Sequence, residues 1–293
     1  MGKTKMYMDT VVDIQVVTEQ PQHLVEASID RAFAAFRKVE DACSRFSQDS
    51  ELMIACRRIA APVPVSSYLF EPLRFALEIA EWTNGVFDPT VGKTMEECGF
   101  NRHYLSGEVI ESFADASVTY RDIVMDEHNR TLYLKKPMVI DLGAVAKGFA
   151  IDLASRELQR FERFVVNAGG DLYAGGSDER RNVWKIGIQH PERAEQNIHI
   201  VEITNEAICT SGSYERKSSV TDGVHHIIHP RTKRSPNDWV SCTVIAPFAM
   251  MADAFSTAAF LLGEEGSKAL IEQAELKGIL ISSQLQIMKI GEV

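Results

Sequence analysis

Absences narrow the field before any motif does. The five cysteines, Cys43, Cys56, Cys98, Cys209 and Cys242, contain no CxxC pair and no close-spaced ligand set. An odd, scattered set of thiols reads as reduced cysteine in a cytoplasmic compartment, not as a disulfide framework. No apolar stretch approaches the ~20 residues of a membrane-spanning helix. Met1 to Asp13 lacks the apolar run of a signal peptide, and Met6 breaks the myristoylation pattern that Met1-Gly2 opens. Basic residues are in deficit, 31 against 41 acidic ones, for a formal net charge of −10, and their clusters are short, as at Arg231, Lys233 and Arg234. Without a basic face for counterion release, nucleic acid is not the expected partner. An anionic ligand must then be held locally, by backbone N–H groups, one or two lysines, or a metal. There is no Walker loop, no GxGxxG, no Gly-x-Ser-x-Gly elbow, no internal repeat and no low-complexity linker.

What remains is ordinary globular material. The 293 residues are 45% hydrophobic and 25% charged, enough to bury roughly three quarters of the unfolded surface. The length suits one domain over 1–293 or two interleaved subdomains. Tyr7 to Val17 is rich in β-branched residues and reads as a strand. Apolar residues from Leu24 to Val39 recur at helical spacing within a helix over Gln22–Phe46. Ser66 caps a second helix running to Trp82, ended by Asn84-Gly85. Val86 to Gly92 reads as loop, and Arg121–Met125 with Thr131–Lys135 as a hairpin. Val139 to Gly143 leads into a helix over Ala144–Phe161. Strands follow at Phe164–Asn167, Trp184–Gln189, Ile198–Ile203, His226–Ile228 and Cys242–Ala246. Helices at Ala249–Leu262 and Gly266–Leu276 precede strands at Gly278–Ile281 and Gln286–Ile290. Strand pairs joined this tightly cannot be parallel crossovers, so the fold class is α+β with antiparallel sheets and flanking helices.

Four stretches carry chemistry. In Asp141-Leu142-Gly143-Ala144-Val145-Ala146-Lys147-Gly148 a glycine turn opens a helix with a lysine in its first turn, a setting that suits a phosphate or serves as a plain junction with a solvated lysine. Asn167-Ala168-Gly169-Gly170-Asp171 lets backbone approach a ligand, or simply turns a hairpin. In Ala252-Asp253-Ala254-Phe255-Ser256-Thr257, Asp253 and Thr257 share one helical face as hard oxygen ligands suited to magnesium; alternatively Asp253 complements the helix dipole and Thr257 bonds back to its own helix. His225-His226-Ile227-Ile228-His229 suggests a proton acceptor more than zinc, because strand geometry would put His226 and His229 on opposite faces. Thr210-Ser211-Gly212-Ser213-Tyr214 reads as a hydroxyl-rich loop.

In order along the chain, these blocks resemble the FAD:protein FMN transferase family, also called ApbE-like or thiamine-biosynthesis-lipoprotein-like. The likeness runs from Met8-Asp9-Thr10 through Phe46-Ser47, Ser50-Glu51-Leu52 and Gly85-Val86-Phe87-Asp88-Pro89-Thr90-Val91-Gly92. It continues through Asp141–Gly148, Asn167–Asp171, Trp184–Ile188 and Thr210–Gly212 to His226–Ile228 and Ala252–Thr257. The resemblance implies an ApbE-like, T-fold-related architecture with the active site in the cleft between two subdomains. It implies magnesium held by Asp253, Thr257 and the Ala144 carbonyl, and FAD as substrate contacted by Asp141 and Lys147. Met8, Phe46, Phe87, Asp88, Pro89, His226 and Ile227 would line the flavin and adenosine pockets. The implied reaction joins FMN to a Ser or Thr of a target protein and releases AMP, with Asp253 and His226 as catalytic residues and His226 accepting the hydroxyl proton. Two alternatives stay open: an FAD pyrophosphatase using water, and a non-catalytic FAD-binding protein. Lys93, Cys98, Ser213 and Lys233-Arg234 depart from residues frequent in that family, and bear on the groove for the target protein.

Overall fold

A computed structural model describes residues 1–103, 106–176, 183–218 and 220–293, and among these described residues lie thirteen strands and six α-helices. In chain order they are β1 (Gly2–Tyr7), β2 (Thr10–Val17), α1 (Gln22–Cys43), α2 (Glu51–Cys56), β3 (Val63–Pro64), α3 (Ser67–Trp82) and α4 (Gly92–Glu97). Then come β4 (Ile123–Asp126), β5 (Thr131–Leu134), α5 (Ala146–Arg156), β6 (Arg163–Ala168), β7 (Asp171–Gly175), β8 (Trp184–His190) and β9 (Arg193–Ile203). The last are β10 (Glu206–Gly212), β11 (Trp239–Ala246), α6 (Ala249–Gln273), β12 (Lys277–Ser282) and β13 (Ile287–Ile290).

The main sheet is eight-stranded, in the order β1-β2-β6-β7-β10-β11-β12-β13, and every neighbouring pair is antiparallel. The α+β, antiparallel reading therefore holds. β2 buries Val12, Ile14 and Val16 on one face, the period-two pattern of a half-buried strand. The β8–β9 hairpin packs Ile188, Val201 and Ile203 against Leu172, Ile208, Ile245 and Ile279 from the sheet. Helix α6 lies on β10 and β11. A three-stranded sheet, β3-β5-β4, is separate.

The chain divides into two compact units, both discontinuous in sequence. The first comprises Met1–Arg37, Lys147–Tyr214 and Asn237–Val293, and holds the large sheet with α5 and α6. The second comprises Lys38–Ala146 and Glu215–Pro236, and holds α2, α3, α4 and the small sheet.

Several sequence readings are corrected. Tyr7–Val17 is not one strand: Met8 and Asp9 form a two-residue turn with φ of 53° and 59° between β1 and β2. Positive φ at both positions gives the hairpin twist that matches flanking strands, which β-propensity alone does not reveal. Thr210 to Gly212 is not loop but the end of β10, paired to β11. His226–Ile228 is not a strand; only the isolated bridges at His225 and His229 flank it. Val139–Leu142 belongs to no sheet and Gly143 opens a turn, and the Asp141 N–H donates to the Pro89 carbonyl instead. Part of Val86–Gly92 is a 3-10 turn over Pro89–Val91, capped by Asp88. The helix expected over Ala144–Phe161 is shorter, and the two expected C-terminal helices join as α6 with a non-helical Gly263 between them. Sequence reading gives no element at α2, β3, α4, β7 or β10.

Candidate active site

In the first unit, three elements aim polar side chains at one another. Lys147, at the start of α5, has its ammonium paired with Asp171 at the head of β7 and lies 3.6 Å from Asp253 Oδ2 on α6. Asp253 also accepts the Gly148 N–H at 3.0 Å, and Asp171 accepts the Thr210 N–H at 2.8 Å. One turn along α6, Thr257 Oγ1 is 2.9 Å from Ser211 Oγ, which is also 2.8 Å from Ser256 Oγ. Gly148 makes this approach of α5 to α6 possible, because a Cβ there would lie 2.6 Å from Met250 Cα. The α6 N-terminus is fixed by Asp152 of α5, whose carboxylate accepts the Ala249 and Met250 N–H groups at 2.7 and 2.9 Å.

Burial raises the Asp253 carboxyl, and the Lys147 ammonium pulls it back toward ionisation. A carboxylate buried this deeply needs a cation beside it. The donors are one such carboxylate and three hydroxyls within hydrogen-bond distance of one another in series, all hard oxygens. That set fits magnesium, which takes one or two carboxylates and completes its shell with water and phosphate oxygen. Among the described residues no group of three or more His, Cys, Asp or Glu could by itself hold a metal ion.

The second unit holds a different constellation. Asp141 forms an ion pair with Arg45, whose side chain is only 4% exposed, and accepts the Gly143 N–H at 2.8 Å. Burial opposes its charge, but Arg45, the Gly143 N–H and Arg216 outweigh burial and hold the carboxyl below its usual range. Arg45 also donates to the Phe100 carbonyl at 2.6 Å and stacks its guanidinium over the Phe46 ring at 4.1 Å. His226 is held through its N–H to the Arg216 carbonyl at 3.1 Å, while its buried Nδ1 has no partner. Burial, with Arg216 and His225 nearby, lowers His226 to about 4, so the ring is neutral at pH 7. A neutral imidazole can accept a proton at the ring nitrogen that carries none.

Of the residues singled out in the sequence, Lys147, Asp253 and Thr257 come together in the first unit, while Asp141 and His226 sit in the second with Phe46. Ala144 is also in the second unit, three residues before Lys147. Met8 occupies the left-handed turn of the first unit, a conformation costly for methionine. Phe87, Asp88, Pro89 and Ile227 are buried in the second unit. Asp88 spends its carboxylate on the Thr90 N–H, the Thr90 hydroxyl and the Tyr120 N–H. Lys147 is not the solvated lysine of a plain junction, and Thr257 bonds across to β10; it is Ser256 that bonds back to the Asp253 carbonyl. Asn167–Gly170 does turn the hairpin between β6 and β7, and its value lies in delivering Asp171. Sequence reasoning missed Arg45, Asp152, Asp171 and Ser211 as participants. Only Asp171 and Ser211 stood within the quoted blocks, and nothing local marks Arg45 or Asp152.

Known proteins resemble this chain in sequence and in fold. The chain is 30% identical over 268 residues to the FAD:protein FMN transferase of Escherichia coli K12, covering 87% of this chain and 74% of that protein. It is 30% identical over 295 residues to the FAD:protein FMN transferase of Treponema pallidum, covering 93% and 81%. Among solved structures it is similar to the ApbE protein of Thermotoga maritima, with TM-score 0.84, 26% identity and coverage of 99% and 96%. It is also similar to the flavin transferase ApbE of Vibrio cholerae, with TM-score 0.83, 25% identity and coverage of 99% and 97%. Since the sequence model described as the ApbE family matches residues 8–280, on top of these likenesses, the chain belongs to the ApbE family.

Proposed function

We propose that this chain is a flavin transferase that uses magnesium to cut FAD and joins the FMN half to a Ser or Thr of another protein, releasing AMP. The observation that carries this reading is the meeting of Asp253, Thr257 and Lys147 in a member of the ApbE family. Asp253 and Thr257, with the main-chain carbonyl of Ala144, would hold the metal. Bound there, magnesium supplies charge neutralisation on the diphosphate and on the departing AMP, a contribution of several kcal/mol.

The protein's own groups do the rest. Lys147 offers its ammonium to the diphosphate from a position already fixed by Asp171. Asp141, kept ionised by Arg45, contacts FAD, and Met8, Phe46, the Phe87-Asp88-Pro89 turn and Ile227 shape the flavin and adenosine pockets. His226 takes the proton of the acceptor hydroxyl. The hydroxyl oxygen bonds to the FMN-side phosphorus, the bond from that phosphorus to the bridging oxygen breaks, and AMP leaves with the electron pair. All five cysteines are free thiols, which supports a cytoplasmic site of action. No helix among the described residues is long and apolar enough to cross a membrane.

Incubation with FAD and magnesium tests the reading: AMP should appear, and Asp253→Ala should abolish it while leaving the fold intact. Thr257→Ala should reduce it strongly. An Asp253→Ala protein that is folded and releases AMP at the wild-type rate overturns the metal assignment. AMP without mass gain on any candidate acceptor from the same cell would make the chain a pyrophosphatase, and FAD binding without AMP would make it a binder.

A further inference from the structure

The large sheet and α6 meet along β10. Side chains alternate faces along a strand, so Cys209 and Ser211 turn to α6 while Thr210 turns away, its hydroxyl 2.8 Å from that of Thr243. The Cys209 thiol reaches the Ala249 carbonyl at 3.6 Å. Ser211 Oγ reaches two hydroxyls of α6, Ser256 Oγ at 2.8 Å and Thr257 Oγ1 at 2.9 Å. Ser211 and Ser256 are buried, whereas Thr257 is half-buried. Buried hydroxyls must find their partners inside the protein, so these contacts fix where the two serine protons lie.

The direction of this chain of hydroxyls follows from its inner end. Ser256 lies three residues after Asp253, and its hydroxyl donates to the Asp253 carbonyl at 2.9 Å. A carbonyl oxygen only accepts, and a hydroxyl has one proton to give. With that proton spent, Ser256 Oγ accepts from Ser211. Ser211 Oγ, its own proton now spent, accepts from Thr257. The Thr257 proton therefore points into the protein. Its oxygen keeps acceptor capacity for a partner outside the chain, on the helical face that it shares with Asp253. The reverse order would break the bond to the Asp253 carbonyl and turn a proton, in place of a lone pair, toward a bound cation. Polarity thus decides whether the Thr257 hydroxyl suits a cation.

We propose that Ser211 is a positioning residue for the divalent cation: by accepting the Thr257 proton and donating its own to Ser256, it presents Thr257 Oγ1 as an acceptor alone. This deepens the proposed function and rests on its metal site. The test is a titration of the full chain with Mn2+ alone, an ion of the same oxygen preference as magnesium, without FAD and with the free ion followed by its EPR signal. Ser211→Ala should weaken Mn2+ binding about three- to tenfold, the effect of one hydrogen bond. Ser211→Cys keeps the bulk but offers only a weakly accepting sulfur, and should fall as far. Ser256→Ala leaves the Ser211 proton to turn to Thr257, and should also weaken Mn2+ binding. Wild-type affinity in Ser211→Ala overturns the proposal. Wild-type affinity in Ser211→Cys shows that Ser211 only fills space, and wild-type affinity in Ser256→Ala shows that the chain does not run as stated; either result overturns it. Urea midpoints without metal accompany each variant, and a Ser211 variant that loses stability while binding Mn2+ as the wild type does marks a merely structural serine. No uptake by the wild type, or uptake unchanged in Asp253→Ala, removes the metal site and this proposal with it. Loss in Asp253→Ala without loss in Ser211→Ala removes this proposal alone. The expected pattern in a chain that releases no AMP from FAD removes the transferase reading and leaves Ser211 in its role.

Discussion

At the scale of single residues, Lys147 and His226 are the most informative, because each is defined by what surrounds it. A lysine in the first turn of a helix reads as dispensable to the fold, yet Lys147 neutralises Asp171 and stands 3.6 Å from buried Asp253. Removing one partner of such a group leaves carboxylates buried and uncompensated. Lys147→Ala should therefore lose on the order of 3 kcal/mol of stability in addition to weakening FAD binding. Chemical denaturation checks this, and added magnesium should restore more stability to the variant than to the wild type. An unchanged midpoint would return Lys147 to the role of a solvated charge. His226, neutral and with Nδ1 unpartnered, should matter for transfer and much less for holding FAD. His226→Ala should keep FAD binding and slow covalent flavin attachment about 100- to 10,000-fold, the usual range for loss of a general base. In-gel flavin fluorescence resolves that difference, and full transfer by the variant would remove His226 from the mechanism.

At the scale of elements, the contact between α5 and α6 sets the site. Asp253 reaches Lys147 and the Gly148 N–H only because α5 and α6 meet without an intervening side chain at Gly148. A methyl group there would collide with the Ala249 carbonyl and with Met250 Cα, which are main-chain atoms and cannot rotate away. Gly148→Ala should cost about 1–3 kcal/mol by forcing the helices apart. It should also lower metal-dependent AMP release, because Asp253 moves with α6 while Lys147 moves with α5. A circular-dichroism melt together with the AMP assay checks both, and a variant with wild-type values in both would show that the helices can part without moving the site.

At the scale of the whole molecule, buried titrating groups give opposing pH slopes. Burial raises Asp152 to about 6, although its bonds to two α6 N–H groups favour its charge. The folded state therefore keeps a proton that the unfolded chain releases near pH 4, and stability falls as pH rises from about 4 to 6, by on the order of 3 kcal/mol. His226 acts in the other direction. The unfolded ring takes a proton below about pH 6.5 and the folded ring only below about 4, so stability falls as pH drops through that window, by on the order of 2 kcal/mol after solvent screening. Wild-type stability should be nearly level from pH 4 to 6, tilting upward with pH in Asp152→Asn and downward with pH in His226→Asn. Urea midpoints across that range check the slopes, and parallel curves for the three proteins would show that neither group titrates as stated. Below about pH 4, protonation of Asp141 removes its pairing with Arg45 and stability is lost in all three.

The sequence by itself determined the α+β class, most strands and helices, and the pairing of Asp253 with Thr257 on one face, because periodicity and helical spacing are local properties of the chain. The tertiary structure decided that Thr210 and Ser211 lie on a strand, that Asp171 meets Lys147, that Arg45 holds Asp141 and that His226 is half-buried and neutral. Those outcomes join residues 24, 31 and 96 positions or more apart, or depend on burial, and no local pattern encodes either a distant partner or the removal of water.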